Sequence, residues 1–260
     1  MTGASLSGSS GQGAVGPETA EPLLSTRGLS RNFKGLRAVH DVDFDLHPGE
    51  VRALIGPNGA GKTTFVSMLI GRLPPSSGRI TFDGRDITAL PSHARVARGM
   101  AYTFQITSVF ARLPVVENVA LAARRRLGTD TVAVDRAVTD ALARTGLAGK
   151  DRTLAQDLSY GHQRLLELAM GLAQSPRLLI LDEPTQGLSE GEIDTFKSLV
   201  RAVAGQITIL LIEHNMSVVM DLATRITVLT AGEILAEGPP DAIRANTAVQ
   251  DAYLGRGAHA

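Results

Sequence analysis

"VRALIGPNGAGKTTFVSMLIG", residues 51 to 71, decides how the rest of the chain is read. VRALI (51 to 55) reads as a buried strand, and Phe65, Met68 and Leu69 fall on one face of a following helix. Between them GPNGAGKT (56 to 63) fills every fixed position of the pattern G-x-x-x-x-G-K-[ST], in the strand, loop and helix setting that the pattern needs. Gly56, Pro57, Asn58, Gly59, Ala60 and Gly61 form a loop whose backbone can curl until successive N–H groups point at phosphate oxygens. The helix N-terminus behind it adds positive potential. Lys62 then neutralises the β and γ phosphates, Thr63 offers its hydroxyl to Mg2+, and Thr64 lies beside the α phosphate.

Upstream, VDFDL (42 to 46) alternates apolar and acidic residues as a half-buried strand does, and Pro48-Gly49 turns the chain into VRALI. Downstream, RITFDG (79 to 84) reads as a strand ending in an Asp-Gly turn. From about 91 to 157 the pattern becomes alanine-rich and helical, clearest in ENVALAARRR and AVDRAVTDALARTGL, and a helical subdomain is expected there. Arg124, Arg125 and Arg126 read as the solvated face of one of its helices. Strands return in RLLILDE and QITILLIE, and RITVLTAGEILAEG reads as a hairpin turning at Ala231-Gly232. Apolar strands separated by helices predict an α/β fold with a mainly parallel sheet, flanked by antiparallel strands from the N-terminal part. Residues 1–20, rich in Gly, Ser and Ala without a basic leader or an apolar run, are expected to be a disordered tail.

A phosphate loop that uses Mg2+ needs an acidic partner, and LLILDE supplies four apolar strand residues followed by Asp182 and Glu183. Asp182 would hold the metal through water. Glu183, one residue further on, suits a general base that orients or deprotonates the attacking water. LSYGHQRLLELAMGLAQSP (158 to 176) opens with a Ser-Tyr-Gly turn and continues as a helix, with Leu165, Leu168, Ala169 and Leu172 at i, i+3, i+4 and i+7. An N–H-rich turn at a helix start is an anion site, with Ser159 and the Gly161 backbone as donors. Ser159 is also a good N-cap.

Composition bounds the partners. Among 260 residues, 26 basic and 26 acidic side chains cancel, so no overall field draws the chain to nucleic acid or to an anionic membrane. The lack of cysteine excludes disulfides, thiol catalysis and thiolate metal sites, and the six histidines make no pair at metal-ligand spacing. The longest apolar runs, 178–181 and 207–212, fall far short of the ~20 residues that cross a bilayer.

GPNGAGKTT, Gln105 in FQITSVF, LSYGH, LILDEPTQGL and IEHN stand in the order found in an ATP-binding cassette domain, which the chain resembles from about residue 23 to 255. The resemblance implies a P-loop NTPase core that binds ATP and Mg2+, a nucleotide-binding domain set at 21 to 257 with the helical subdomain inserted. It implies that Gln105 contacts Mg2+ or the attacking water and links the site to that subdomain. His214 would hydrogen-bond the γ-phosphate and the base, and Phe33 would stack on adenine. It also implies that Ser159 and Gly161 close on the γ-phosphate of ATP held by a second cassette in a head-to-tail dimer. Two departures stand out: Tyr160 and His162 replace the Gly and Gln of the common LSGGQ, and Ser189 stands where many cassettes have aspartate.

SYGHQRLLELAMGLA, LPVVENV (113 to 119), the stretch from IEHN onward and the ending VQDAYLG resemble, more narrowly, the ATP-binding subunits of branched-chain amino-acid and related importers. That likeness implies an ATP-hydrolysing subunit at the cytoplasmic face of the cell membrane. Its partners would be a second cassette, identical or not, two integral-membrane permeases and, indirectly, a solute-binding protein. The group also imports urea and short amides, which is one alternative. A soluble cassette ATPase without a permease is another, but those of repair and translation usually carry long coiled-coil insertions or paired cassettes, and neither is present here.

Overall fold

The apolar runs seen in the sequence become strands buried at every residue, which requires cover on both faces of their sheet. The computed structural model describes residues 21–103 and 108–254; the expected tail at 1–20 and Gln105 lie outside the described residues. Its strands are β1 (Leu24–Phe33), β2 (Leu36–Leu46), β3 (Val51–Ile55), β4 (Ser77–Phe82), β5 (Arg85–Asp86), β6 (Met100–Thr103), β7 (Leu178–Asp182), β8 (Thr208–Ile212), β9 (Arg225–Thr230) and β10 (Glu233–Gly238). The helices are α1 (Lys62–Leu69), α2 (Ser92–Ala97), α3 (Val115–Leu127), α4 (Thr131–Arg144), α5 (Tyr160–Ala173), α6 (Glu190–Val203), α7 (Met216–Leu222), α8 (Pro240–Arg244) and α9 (Thr247–Leu254).

Six strands form one sheet in the order β10-β9-β3-β8-β7-β6, parallel from β9 to β6. Only β10 runs antiparallel, joined to β9 by the expected hairpin; Ala231 and Gly232 both take positive φ, 48° and 86°, as a two-residue turn between twisted strands requires. The second sheet, β2-β1-β4-β5, is antiparallel throughout and is the flank that the alternating pattern predicts.

Side chains alternate across β7, so Leu178 and Ile180 join a core with Phe65, Met68 and Leu69 of α1 and with Phe44 and Phe82 of the second sheet. Leu179 and Leu181 point the other way, into a core shared with α5, α6 and the inserted helices. There Val119 and Ala123 of α3 and Val138 and Leu142 of α4 meet Leu166 and Leu168 of α5. Ala53, Ile55, Ile226 and Val228 form a third cluster beneath α7 to α9.

The expected helical span of 91 to 157 needs one correction. It contains β6, which belongs to the main sheet and pairs with β7 from Met100↔Leu178 to Thr103↔Leu181. Four residues are too few to display a period of their own; β6 is a strand because β7 offers it a ladder. The helical insertion proper is α3, α4 and the 3-10 turn at Ala155–Asp157. The arginine run is exposed, as expected: Arg124, Arg125 and Arg126 all face solvent, where Arg126 also donates to the carbonyls of Gln174 and Ser175 at the end of α5 and Arg125 lines the rim of a cleft described below.

Candidate functional site

Parallel strands point their carboxyl ends the same way, and here Leu54, Ile212 and Asp182 stand in register across β3, β8 and β7. The chain therefore leaves the sheet at one edge as the phosphate loop, as Glu213-His214 and as Glu183. β6 ends at that edge too, just before the segment that carries Gln105, which is outside the described residues.

The loop 56–61 is shaped by its own backbone. Gly61 has φ 101°, and a Cβ there would collide with the Ala38 carbonyl, so glycine is required on both counts. Ala60 N–H donates to Pro57 O at 3.1 Å, and Gly232 N–H donates to Ala60 O at 2.9 Å, fastening the loop to the β9–β10 turn. Lys62 folds back, its Nζ donating to Gly56 O at 2.6 Å and Pro57 O at 3.1 Å. Burial holds the Lys62 pKa below the usual lysine value, against the opposing charges of Glu183 and Asp182. No side chain caps α1 and its first turn holds no acid, so its N–H groups, beside exposed Thr63 and half-buried Thr64, are open to an anion. From the C-terminal helix, Tyr253, 40% exposed, reaches the Gly56 backbone.

Asp182 is buried and accepts a hydrogen bond from the Tyr102 hydroxyl at 2.6 Å. Burial raises its pKa, and neighbouring Glu183 adds to the rise, while Tyr102 and Lys62 oppose it. Tyr102, on β6, is itself raised above the usual phenol value by burial and by Asp182. No motif marks Tyr102 in the sequence. Glu183 takes the left-handed conformation, φ 46°, which is costly for a residue with a Cβ; its N–H donates to Ile212 O at 2.9 Å, fixing it against β8. Its carboxylate lies 3.8 Å from His214 Nδ1, and the His214 ring is 61% exposed. The structure thus brings Lys62, Asp182, Glu183 and His214 to one edge.

Glu213 stands in the IEHN stretch, where no pattern marks it for a role. It is buried, and its two oxygens accept from both chain exits. Thr185 N at 3.1 Å and the Thr185 hydroxyl bond to Oε1, and His214 N at 2.9 Å and Asn215 N at 3.1 Å bond to Oε2.

Ser159 caps α5 as its sequence suggests, accepting from His162 N at 3.3 Å. Leu168, Ala169 and Leu172 bury the helix's apolar face, with Leu165 partly buried beside them. The neighbours of this turn are the loop after Glu183 and the start of α6. Tyr160 donates to Gln186 O at 3.2 Å, and its ring lies so close to Gly187 that a Cβ there would stand 3.0 Å away. Gly161 abuts the Glu192 carboxylate. Ser189 forms a capping box with Glu192, whose Oε2 accepts from Ser189 N at 2.9 Å and from its hydroxyl at 2.8 Å. Phe33, at the end of β1, is 40% exposed with the Arg31 guanidinium 4.8 Å from its ring centre, a ring face open to a flat ligand.

A cleft of about 690 Å3 separates the inserted helices from the sheet core. Ile70, Val96, Phe110, Leu121 and Met170 give it apolar walls, and Arg72, Arg125 and Glu167 line it as well. Glu167 holds the wall in place: it accepts from Ser108 N at 2.5 Å and pairs with Arg164 at 3.0 Å.

Residues 39–186 match the family described as ABC transporter, and residues 233–259 match the one described as branched-chain amino acid ATP-binding cassette transporter. The high-affinity branched-chain amino acid transport ATP-binding protein BraF of Pseudomonas aeruginosa is 38% identical over 252 residues, covering 91% of this chain and 99% of BraF. LivG of Escherichia coli, named in the same words, is 39% identical over 253 residues, covering 91% and 99%. A crystal structure of the ADP conformation of an ATP-binding cassette of an ABC transporter superposes with a TM-score of 0.82 at 25% identity, covering 91% of this chain and all of that one. With the phosphate loop, the acid pair and the turn at Ser159 in one fold, and with relatives of this length and likeness, the chain belongs to the ABC transporter family as an ATP-binding subunit that hydrolyses ATP.

Proposed function

We propose that the chain powers an importer for branched-chain amino acids, working at the cytoplasmic face of the cell membrane as one of two cassettes beneath two permeases. The observation that carries the solute class is the match at 233–259, together with relatives of that name along nearly the whole chain. The apolar cleft beside α3 supports a permease contact, since it is open, concave and walled by the elements that join the phosphate site to the inserted helices.

In this reading the N–H groups of the loop 56–61 and of α1 bind the phosphates of ATP, Lys62 leaves its carbonyl partners for the γ-phosphate, and Phe33 stacks on adenine. Glu183 takes a proton from the attacking water, and His214 hydrogen-bonds the γ-phosphate beside it. Mg2+ suits the residues present. Among the described residues no three carboxylates or histidines converge on a metal, yet Asp182 is a buried acid next to another acid, the setting that a cation relieves. Thr63 and, through water, Asp182 would hold it, with Gln105 as the further ligand implied by resemblance. When bound it supplies positive charge to the β and γ phosphates. Ser159 and Gly161 would serve the ATP of the second cassette, so that ATP favours the closed pair and hydrolysis releases it.

Uptake of labelled leucine, urea and acetamide by cells lacking the gene tests the assignment. Leucine uptake should fall and return with the wild-type gene but not with Glu183→Gln. Loss of urea or acetamide uptake with leucine unaffected would replace the solute class. A tagged chain extracted in detergent should bring down two multi-span proteins; purely soluble partners would overturn the importer reading.

A further inference from the structure

His162 stands where the common signature has glutamine, and the geometry points to a positioning role: its imidazole sets whether the Ser159 hydroxyl can donate to the γ-phosphate of the partner cassette's ATP. This rests on the head-to-tail reading proposed above. Ser159 Oγ accepts the capping bond from His162 N at 3.3 Å and lies 2.7 Å from His162 Nδ1. A hydroxyl has a single proton and two lone pairs. When Nδ1 is bare, the Ser159 proton is drawn onto it, and the oxygen presents only a lone pair to an arriving phosphate, which is itself an acceptor. When Nδ1 carries a proton, it donates to Oγ, both lone pairs are engaged, and the Ser159 O–H is left to turn outward.

The imidazolium meets this condition always, and neutral imidazole only in one of its two tautomers. The imidazolium also places a positive charge beside an anion at a helix start. Of the charged groups around it, Glu192 favours the imidazolium, while Arg164 and Glu167 offset each other. Glu192 faces His162 from α6 and shares its cavity, and hydrogen bonds from the Ser189 N–H and hydroxyl keep that carboxylate ionised. On α5 itself, Arg164 and Glu167 line the same cavity and pair with each other at 3.0 Å. Glu192 reaches this position because Gly161 has no Cβ to obstruct it. Engagement of ATP across the interface is therefore coupled to a proton on His162 and weakens when that proton is lost.

The test is ATP turnover by the full chain in its membrane complex, as a function of ATP concentration, between about pH 6 and 8.5 for wild type, H162Q and H162A. The glutamine amide donates at every pH. Half-saturating ATP should rise about three- to tenfold across that range in wild type beyond any change in H162Q. H162A, which has no acceptor to draw the Ser159 proton, should also show no such rise. Any pH dependence shared by all three proteins cancels in the comparison. ATP binding to the isolated chain should be the same in all. Superimposable pH profiles for wild type and H162Q overturn the inference, as does H162A behaving like wild type. Undiminished turnover in Ser159→Arg would instead overturn the head-to-tail reading beneath it.

Discussion

Glu213 lies 1% exposed between the two chain exits that carry Glu183 and His214, holding main-chain N–H groups of both. Glu213→Gln keeps its shape but turns a donor towards one of those N–H pairs. ATP affinity should stay within about threefold while turnover falls about 10- to 100-fold, because misplacement of Glu183 and His214, proposed to act on the attacking water and the γ-phosphate, acts on the chemical step. Phosphate release against a binding titration checks this; equal losses in both would assign Glu213 to general stability. Glu183→Gln should bind ATP normally and turn over about 100- to 10,000-fold more slowly. Unchanged turnover would remove Glu183 as the base. Lys62, Asp182, Glu183 and His214 were legible in the sequence because each sits at a fixed place in a short pattern. Tyr102 and Glu213 were not, because their partners lie 80 and 28 residues away and only folding supplies them.

Helix α6 shows how an element absorbs a departure from the family pattern. Ser189, where many cassettes have aspartate, starts the helix with a reciprocal capping box to Glu192. Ser189→Ala, which loses the hydroxyl of the box, should lower stability by about 0.5–2 kcal/mol in urea unfolding. Helix α1 is held at its other end by Arg95, 1% exposed, which donates to the carbonyls of Met68 and Leu69 and to those of Leu90 and Thr88 at 2.7–3.0 Å. Burial lowers the Arg95 pKa to about 10, still far above neutrality, so the fork stays charged at pH 7. Arg95→Ala strands those acceptors and should cost about 2–4 kcal/mol of stability and loosen ATP binding through α1. Lysine should not restore it, having no planar fork. Thermal unfolding and an ATP titration measure both effects. Strand β6 marks the limit of reading elements from pattern: four residues show no period, and only the ladder with β7 makes them a strand.

For the whole molecule, the turn at Ser159 faces the start of α6 and the loop after Glu183, and the reading proposed for it needs a second cassette to supply the ATP. Ser159→Arg should leave ATP binding by the isolated chain within about twofold and abolish ATP-driven pairing and turnover, since a cap can be lost for about 1 kcal/mol but a bulky side chain blocks a closing interface. Analytical ultracentrifugation with and without ATP, beside an ATPase assay, separates the two outcomes; full activity would return the turn to being only a helix cap. By itself the sequence determined the fold class and the local chemistry. A glycine-rich loop between strand and helix, an acid pair after an apolar strand and a capped turn are each complete within a few residues, and their meaning travels with them. The tertiary structure alone decided what those pieces face. The parallel register of β3, β8 and β7 brings three chain exits to one edge, β6 becomes a strand only beside β7, and buried acceptors such as Asp182 and Glu213 take donors distant in sequence. The reason is physical: a strand's ladder and a buried carboxylate's hydrogen bonds are completed by whatever folding packs against them.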